Sequence, residues 1–257
     1  MLNVEYIPKT EVYHGQRVGH LTDTKHAVSG NVFIVDDDHL RIRHFTYDGA
    51  APDAYFWVGF RNINSERPSK DGTKLADEEG GFEPLEKYSN GDVILTLPSG
   101  TKTRDVTWIS IWCEQYEEDF GHLQFPSDVI IPAPIRVGDF VDSIHDVSGV
   151  VNVIDSRTIF IEDFTYDGQG PDAYFLAGSG EMKSRNGIKL PNDEQYSGIL
   201  GAYNNNDVRL HLPRNQTIHD FEWLSVYCIE YEHDFGHVIF PRDMAIPPYF
   251  EKRIQVR

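Results

Sequence analysis

HAVSGNVFIVDDDHLRIRHFTYDGAAPDAYFWVG, residues 26–59, alternates apolar and polar positions over short runs rich in Val, Ile, Phe and Tyr, broken by Asp-Asp-Asp, Asp-Gly and Pro-Asp. Period-two patterning with turn residues every ten or so positions is the signature of antiparallel strands. It gives expected strands at Val32–Val35, Leu40–Phe45 and Tyr55–Val58, with others downstream at Val93–Leu97 and Val106–Cys113. No stretch carries a convincing amphipathic helical repeat, so the fold class expected is all-β.

The same stretch returns 119 positions later as HDVSGVVNVIDSRTIFIEDFTYDGQGPDAYFLAG, residues 145–178. A second block, DVTWISIWCEQYEEDFGHLQFP from Asp105, returns 115 positions later as DFEWLSVYCIEYEHDFGHVIFP from Asp220. The two shifts differ by four, so one loop is shorter in the second copy. A period of this size is a whole domain rather than a solenoid unit. Two tandem antiparallel β-sandwich or barrel domains of one fold are expected, at residues 13–132 and 133–249. Positions alike in both copies mark what the fold or a site requires. The stretch 61–81 is polar and rich in turn formers, and it is expected to be exposed and mobile, with 179–193 as its shortened counterpart. Between the copies, Ile130 to Gly138 holds Pro132 and Pro134, which favour an extended, stiff connection.

The 257 residues carry 41 Asp and Glu against 23 Lys and Arg, a formal charge of −18, which opposes any sequence-independent grip on a nucleic-acid backbone. Cations, basic partners or neutral glycans suit such a surface better. No run approaches the roughly 20 apolar residues of a membrane helix. The N-terminus, MLNVEYIPKTEV, lacks the basic start and apolar stretch of a secretory signal, so an exported protein would carry its signal upstream of this sequence. Asn215 with Thr217 forms a single N-glycosylation triplet.

Four recurring features bear on chemistry. Asp48 and Asp53, with Asp167 and Asp172, sit five residues apart on Asp-Gly and Pro-Asp turns. Such aspartates close turns through backbone amides, and paired carboxylates on a tight loop also begin a calcium site, which wants six to eight oxygens. Cys113 and Cys228 each end a strand of the form Trp-x-Ser-x-aromatic-Cys; alternation puts Trp108, Ser110 and Trp112 on one face and Ile109, Ile111 and Cys113 on the other. Three readings of the cysteine stand side by side: a small buried hydrophobe, an interdomain disulfide, and a redox thiol or prosthetic-group ligand. In the Tyr116, Glu117, Asp119, Phe120, Gly121, His122 run and its match at Tyr231, Glu232, Asp234, Phe235, Gly236, His237, the glycine reads as a turn into a final strand, and the carboxylates with the histidine read as a solvated loop, with a metal site as the alternative; the kinase signatures that accompany Asp-Phe-Gly are missing. His26 and His145 precede Ser-Gly and suit backbone hydrogen bonding, proton transfer or metal ligation. No nucleophile elbow, phosphate loop or spaced acid–base pair appears, so catalysis is not what the residues advertise.

The order His-x-Val-Ser-Gly, Phe-Thr-Tyr-Asp-Gly-x-x-Pro-Asp-Ala-Tyr-Phe, Leu-Pro, Trp-x-Ser-x-aromatic-Cys and Phe-Gly resembles the DM-thirteen domain family in both copies, over roughly residues 13 to 249. The resemblance implies an extracellular or cell-surface setting and, in some members, a place in cuticle and chitin organisation. There, tandem copies precede a further domain, DOMON, so this chain is expected to be a fragment or a shorter relative. For the domain itself the resemblance implies electron transfer or oxidative modification of surface proteins, centred on the cysteine as thiol or cofactor ligand, here Cys113 and Cys228. Two functions follow. A matrix-organising module would bind extracellular protein or glycan through Tyr55, Trp57, Trp108, Trp112, Tyr174, Trp223 and Tyr227, since sugar faces stack on aromatic rings. An electron-transfer module would use the cysteines, alone or with haem.

Overall fold

The computed structural model describes residues 12–23, 25–61, 66–181 and 187–250. Contacts divide the chain into a unit of His14–Ala133 and a second made of Met1–Tyr13 with Pro134–Arg257. The first unit holds β1 (Gln16–His20), β2 (Thr22–Asp23), β3 (Ser29–Ile34), β4 (His39–Tyr47), β5 (Ala54–Phe60), β6 (Thr73–Lys74), β7 (Tyr88–Thr96), β8 (Val106–Cys113) and β9 (Glu118–Gln124). The second holds β10 (Ile135–Asp139), β11 (Ser148–Asp155), β12 (Thr158–Tyr166), β13 (Ala173–Gly178), β14 (Ile188–Lys189), β15 (Tyr203–His211), β16 (Trp223–Cys228) and β17 (His233–Ile239).

Each unit is a sandwich of two antiparallel sheets. In the first the orders are β1-β3-β4-β7 and β2-β9-β8-β5-β6; in the second they are β10-β11-β12-β15 and β14-β13-β16-β17. The alternating strands supply one apolar face each. Val32, Ile42 and Val93 from one sheet meet Phe56, Ile109 and Ile111 from the other in the first core, and Val151, Ile161, Leu210, Phe175, Leu224 and Val226 repeat this in the second. Fully burying side chains of this size contributes about 1.5–3 kcal/mol each before chain entropy is counted. The expected strands are present: Val106–Cys113 has the expected bounds, the other four begin one to five residues earlier where backbone pairing continues past the apolar run, and Val35 and Leu97 fall just outside.

β5 and β13 differ from the half-buried pattern, because every residue of both strands is buried. The stretch expected as an exposed loop is the cause. Its residues 62–65, and 182–186 in the second copy, lie outside the described residues; Glu66, Arg67, Lys70, Asp71 and Glu78–Gly80 are exposed as expected, but 72–75 is packed: Thr73 and Lys74 pair with Val58 and Trp57, and Leu75 is 2% exposed. This segment roofs the outer face of the sheet and creates a second, smaller core there. Likewise the expected connection 130–138 is partly structure, since Ile131 packs on the first core and Ile135 opens β10. Tyr13 packs with the second unit, donating its hydroxyl hydrogen bond to the Ile246 carbonyl at 2.7 Å. Among the described residues no helix is long and apolar enough to cross a membrane.

Two outcomes test this packing. Cys113 and Cys228 are free and fully buried, so an aromatic disulfide reagent finds no prompt thiol in the native protein and two per chain in denaturant; prompt labelling contradicts the fold. Gly59 lies against Trp108, where an added Cβ would stand 2.1 Å from Cε2. Gly59→Ala lowers the unfolding free energy by about 1–3 kcal/mol, read from urea denaturation, and an unchanged midpoint contradicts the contact.

Candidate functional site

The recurring motifs, far apart in sequence, converge at one end of each sandwich. Asp-Gly ends β4 and β12 in a turn with Gly49 at φ 70° and Gly168 at φ 75°. The aspartate closes it: Asp48 Oδ1 accepts the Ala50 N–H at 2.8 Å, and Asp167 Oδ1 that of Gln169 at 2.8 Å. The same aspartate is clasped by the histidine that precedes Ser-Gly. Its N–H donates to the carbonyl of His26 at 3.1 Å, or of His145 at 3.0 Å, while the imidazole Nδ1 meets the carboxylate at 3.1 and 3.0 Å. Both histidines are held at left-handed φ, 60° and 56°. Non-glycine residues persist there only where surrounding contacts over-determine them.

Beneath the clasp lie two side chains with no exposed surface, a tyrosine and the cysteine. Tyr47 Oη accepts the Ala51 N–H at 3.3 Å and Tyr166 Oη the Gly170 N–H at 2.8 Å. Burial pushes both phenols up; the amide bond opposes this, and the neighbouring Asp48 and Cys113, or Asp167 and Cys228, add to it. The thiols stand on the inner face opposite alanines, Cys113 across from Ala54 and Cys228 across from Ala173. Phe120 and Phe235 complete the cluster, their rings 4.2 and 4.4 Å from the histidines. A bulge in the β8–β9 and β16–β17 pairings admits each phenylalanine as an extra residue and turns it inward.

The outer face of the same sheet carries a polar knot. Asp119 accepts from Ser110 Oγ at 2.7 Å and from the Gly121 N–H at 3.1 Å, and meets His122 Nδ1 at 2.5 Å. Asp234 repeats this with Ser225, Gly236 and His237 at 2.6, 3.2 and 2.5 Å. The carboxylate is the centre, bonded to serine and imidazole both, whereas acyl transfer needs the imidazole between the other two. The arrangement satisfies buried polar groups at the bulge.

The seven candidate ligand-binding aromatics, Tyr55, Trp57, Trp108, Trp112, Tyr174, Trp223 and Tyr227, form the small outer cores and are all buried. Trp57 and Trp223 donate their indole N–H to the carbonyls of Ser69 and Gly180, at 3.0 and 3.2 Å. Lys74 and Lys189 lie 3.2 Å above the rings of Tyr55 and Tyr174. Among the described residues these seven rings leave no open face for a sugar to stack on. A bond to Asp172, with burial and then nearby charge, pushes the Tyr174 phenol up to about 12; Asp53 raises Tyr55 in the same way.

The calcium candidates are thereby separated into different tasks, Asp48 and Asp167 to the histidine clasp and Asp53 and Asp172 to the tyrosine hydroxyls. Among the described residues no group of three or more His, Cys, Asp or Glu is arranged to hold a metal ion. Neither thiol fits an axial ligand of haem, since each is closed in by core side chains on the inner face. The polar knot and the lysine over the tyrosine were missed in the sequence. A signal for the second existed: Gly-x-Lys-Leu recurs at 72–75 and 187–190 with the 115-residue shift.

Comparison with known proteins places these observations in a family. The model of the family described as "Electron transfer DM13" matches residues 20–125 and 139–240. The chain is 37% identical over 239 residues to Protein Skeletor, isoforms B/C, of Drosophila melanogaster, covering 92% of this chain and 30% of that protein. It is 37% identical to isoforms D/E over the same length, 16% of that protein. It therefore spans less than a third of the curated relatives it matches. No solved structure matches the chain. With both matched regions falling on the two sandwiches and their recurring His, Asp, Tyr and Cys clusters, the chain belongs to the DM13 family as a tandem pair of its domains.

Proposed function

We propose that each sandwich is a one-electron relay whose redox group is the buried thiol–phenol couple, Cys113 with Tyr47 and Cys228 with Tyr166. The observation that carries this reading is the repetition of a free thiol beside a fully buried phenol under a histidine–aspartate clasp in two copies that have drifted elsewhere. Packing alone asks only for a side chain of fitting volume. The family's description as an electron-transfer domain points the same way. A core of low dielectric penalises a bare charge, so oxidation removes one electron and one proton together and leaves a neutral radical. The electron goes to a one-electron oxidant at the surface, such as an oxidised group on a neighbouring protein. The proton goes to the His26–Asp48 pair, or to His145–Asp167, and a surface donor returns both. The setting we infer is extracellular or at the cell surface, where thiols meet oxidants.

The test uses a soluble one-electron oxidant such as hexachloroiridate, with electron paramagnetic resonance at low temperature. Wild type yields an organic radical; Tyr47→Phe with Tyr166→Phe changes its hyperfine pattern, and Cys113→Ala with Cys228→Ala lowers its yield at least fivefold. Equal oxidant consumption and identical spectra in all three folded proteins overturn the reading.

A second reading, a module that organises matrix or cuticle by binding protein or glycan, is favoured by one feature. Tyr116 and Tyr231 occupy the same hairpin tip in the two domains and are 62% and 67% exposed. Exposed aromatics at matching positions suit a repeating partner. Tyr116→Ala with Tyr231→Ala abolishes retention on insoluble chitin under this reading; wild type that washes through, or retention unchanged by the variant, rules chitin out as that partner.

A further inference from the structure

The two domains differ at the mouth above the histidine clasp. In the first, Lys25 and Glu118 form an ion pair across it. The equivalent positions in the second are Ile144 and His233, which carry no such bridge, and Ala51 is replaced by Gly170. A cavity of about 490 Å³ opens there, lined by Ile144, His145, Gly170, Tyr231, His233 and Phe235 among others. Its size falls in the range of small-molecule sites. Gly170 is its inner wall: an added Cβ would lie 2.4 Å from Phe235 Cε2 and 2.5 Å from Tyr166 Oη, so one glycine backbone separates the cavity from the buried phenol.

We propose that this cavity binds a small neutral phenol, and that the first domain, bridged at the same place by its ion pair, does not. The walls set the chemistry. Phe235 and Tyr231 with Ile144 accept a flat apolar ring. The polar atoms are imidazoles: His145 gives its Nδ1 to Asp167 at 3.0 Å, which leaves Nε2 for a ligand hydroxyl, and His233 offers a second. Anions are disfavoured by the −18 formal charge of the chain and by Asp167 behind His145. The geometry also brings the ligand within one residue of Tyr166, so that under the relay reading it would be an electron donor or acceptor. Binding stands without that reading.

The experiment is a titration of the whole 15N-labelled chain with 4-ethylphenol, followed by amide shifts, with 4-ethylbenzoate and 4-ethylanisole as the charged and hydroxyl-free controls. Shifts clustered on residues 144–145, 169–171 and 231–235, with at least tenfold weaker binding of both controls, are expected. Ile144→Lys with His233→Glu installs the first domain's ion pair at two exposed positions and weakens binding at least tenfold; Lys25→Ile with Glu118→His and Ala51→Gly creates a second site in the first domain. No shifts in wild type, shifts centred on another cavity, or affinity unchanged by the Ile144→Lys, His233→Glu pair each overturn the proposal. Radical formation by hexachloroiridate is scored separately, so failure of phenol binding and failure of the relay are told apart.

Discussion

The central strands of each domain are buried on both faces, and most other features follow from that. β8 runs Trp108, Ser110, Trp112 outward and Ile109, Ile111, Cys113 inward, and the roof over the outer side makes each set a core. A strand buried on both faces cannot slip by one residue without exchanging an aromatic layer for an aliphatic one. The register of the whole sheet is therefore pinned. The pinned register sets Ser110 across from His122 and Cys113 across from Ala54, and so determines where the polar knot and the thiol stand.

Duplication within one chain separates necessity from accident. The histidine–aspartate clasp, the carboxylate knot at the bulge and the lysine over the tyrosine recur with distances that agree to within a few tenths of an ångström. Around them the charged positions have changed freely: the Arg41 and Arg43 pair on Asp92 in the first domain has Phe160 and Glu162 at the same places in the second. Surface pairs of that kind contribute under about 1 kcal/mol, which is why they drift. The mouth above the clasp is the exception, since its change opens a cavity rather than exchanging one solvated pair for another.

The strands, the two-domain division of the chain and the inward cysteine were legible because each shows as a local alternation or a repeat. The roof was not. Residues 66–81 read as a polar loop because only Leu75 and the glycine beside Trp57 betray their burial, and a lysine that lies on a tyrosine ring looks the same in sequence as one in water. The aromatics were read as a candidate binding face for the same reason: alternation tells which residues share a face, and not what covers it. Asp119 and His122 were read as a solvated loop because Ser110, which bonds Asp119, is nine positions away on a different strand. The convergence of His26, Asp48, Tyr47 and Cys113 depends on pairings over 22 to 87 positions, which no local pattern carries.

Native-state hydrogen exchange tests the two-sided burial most directly. The account predicts that amides of Ile109–Cys113 and Leu224–Cys228 are the slowest in their domains, opening only with global unfolding. It also predicts that removing the roof contact by Trp57→Ala accelerates those of the first domain alone. Faster exchange in these strands than in the outer strands β1 and β10 would contradict it.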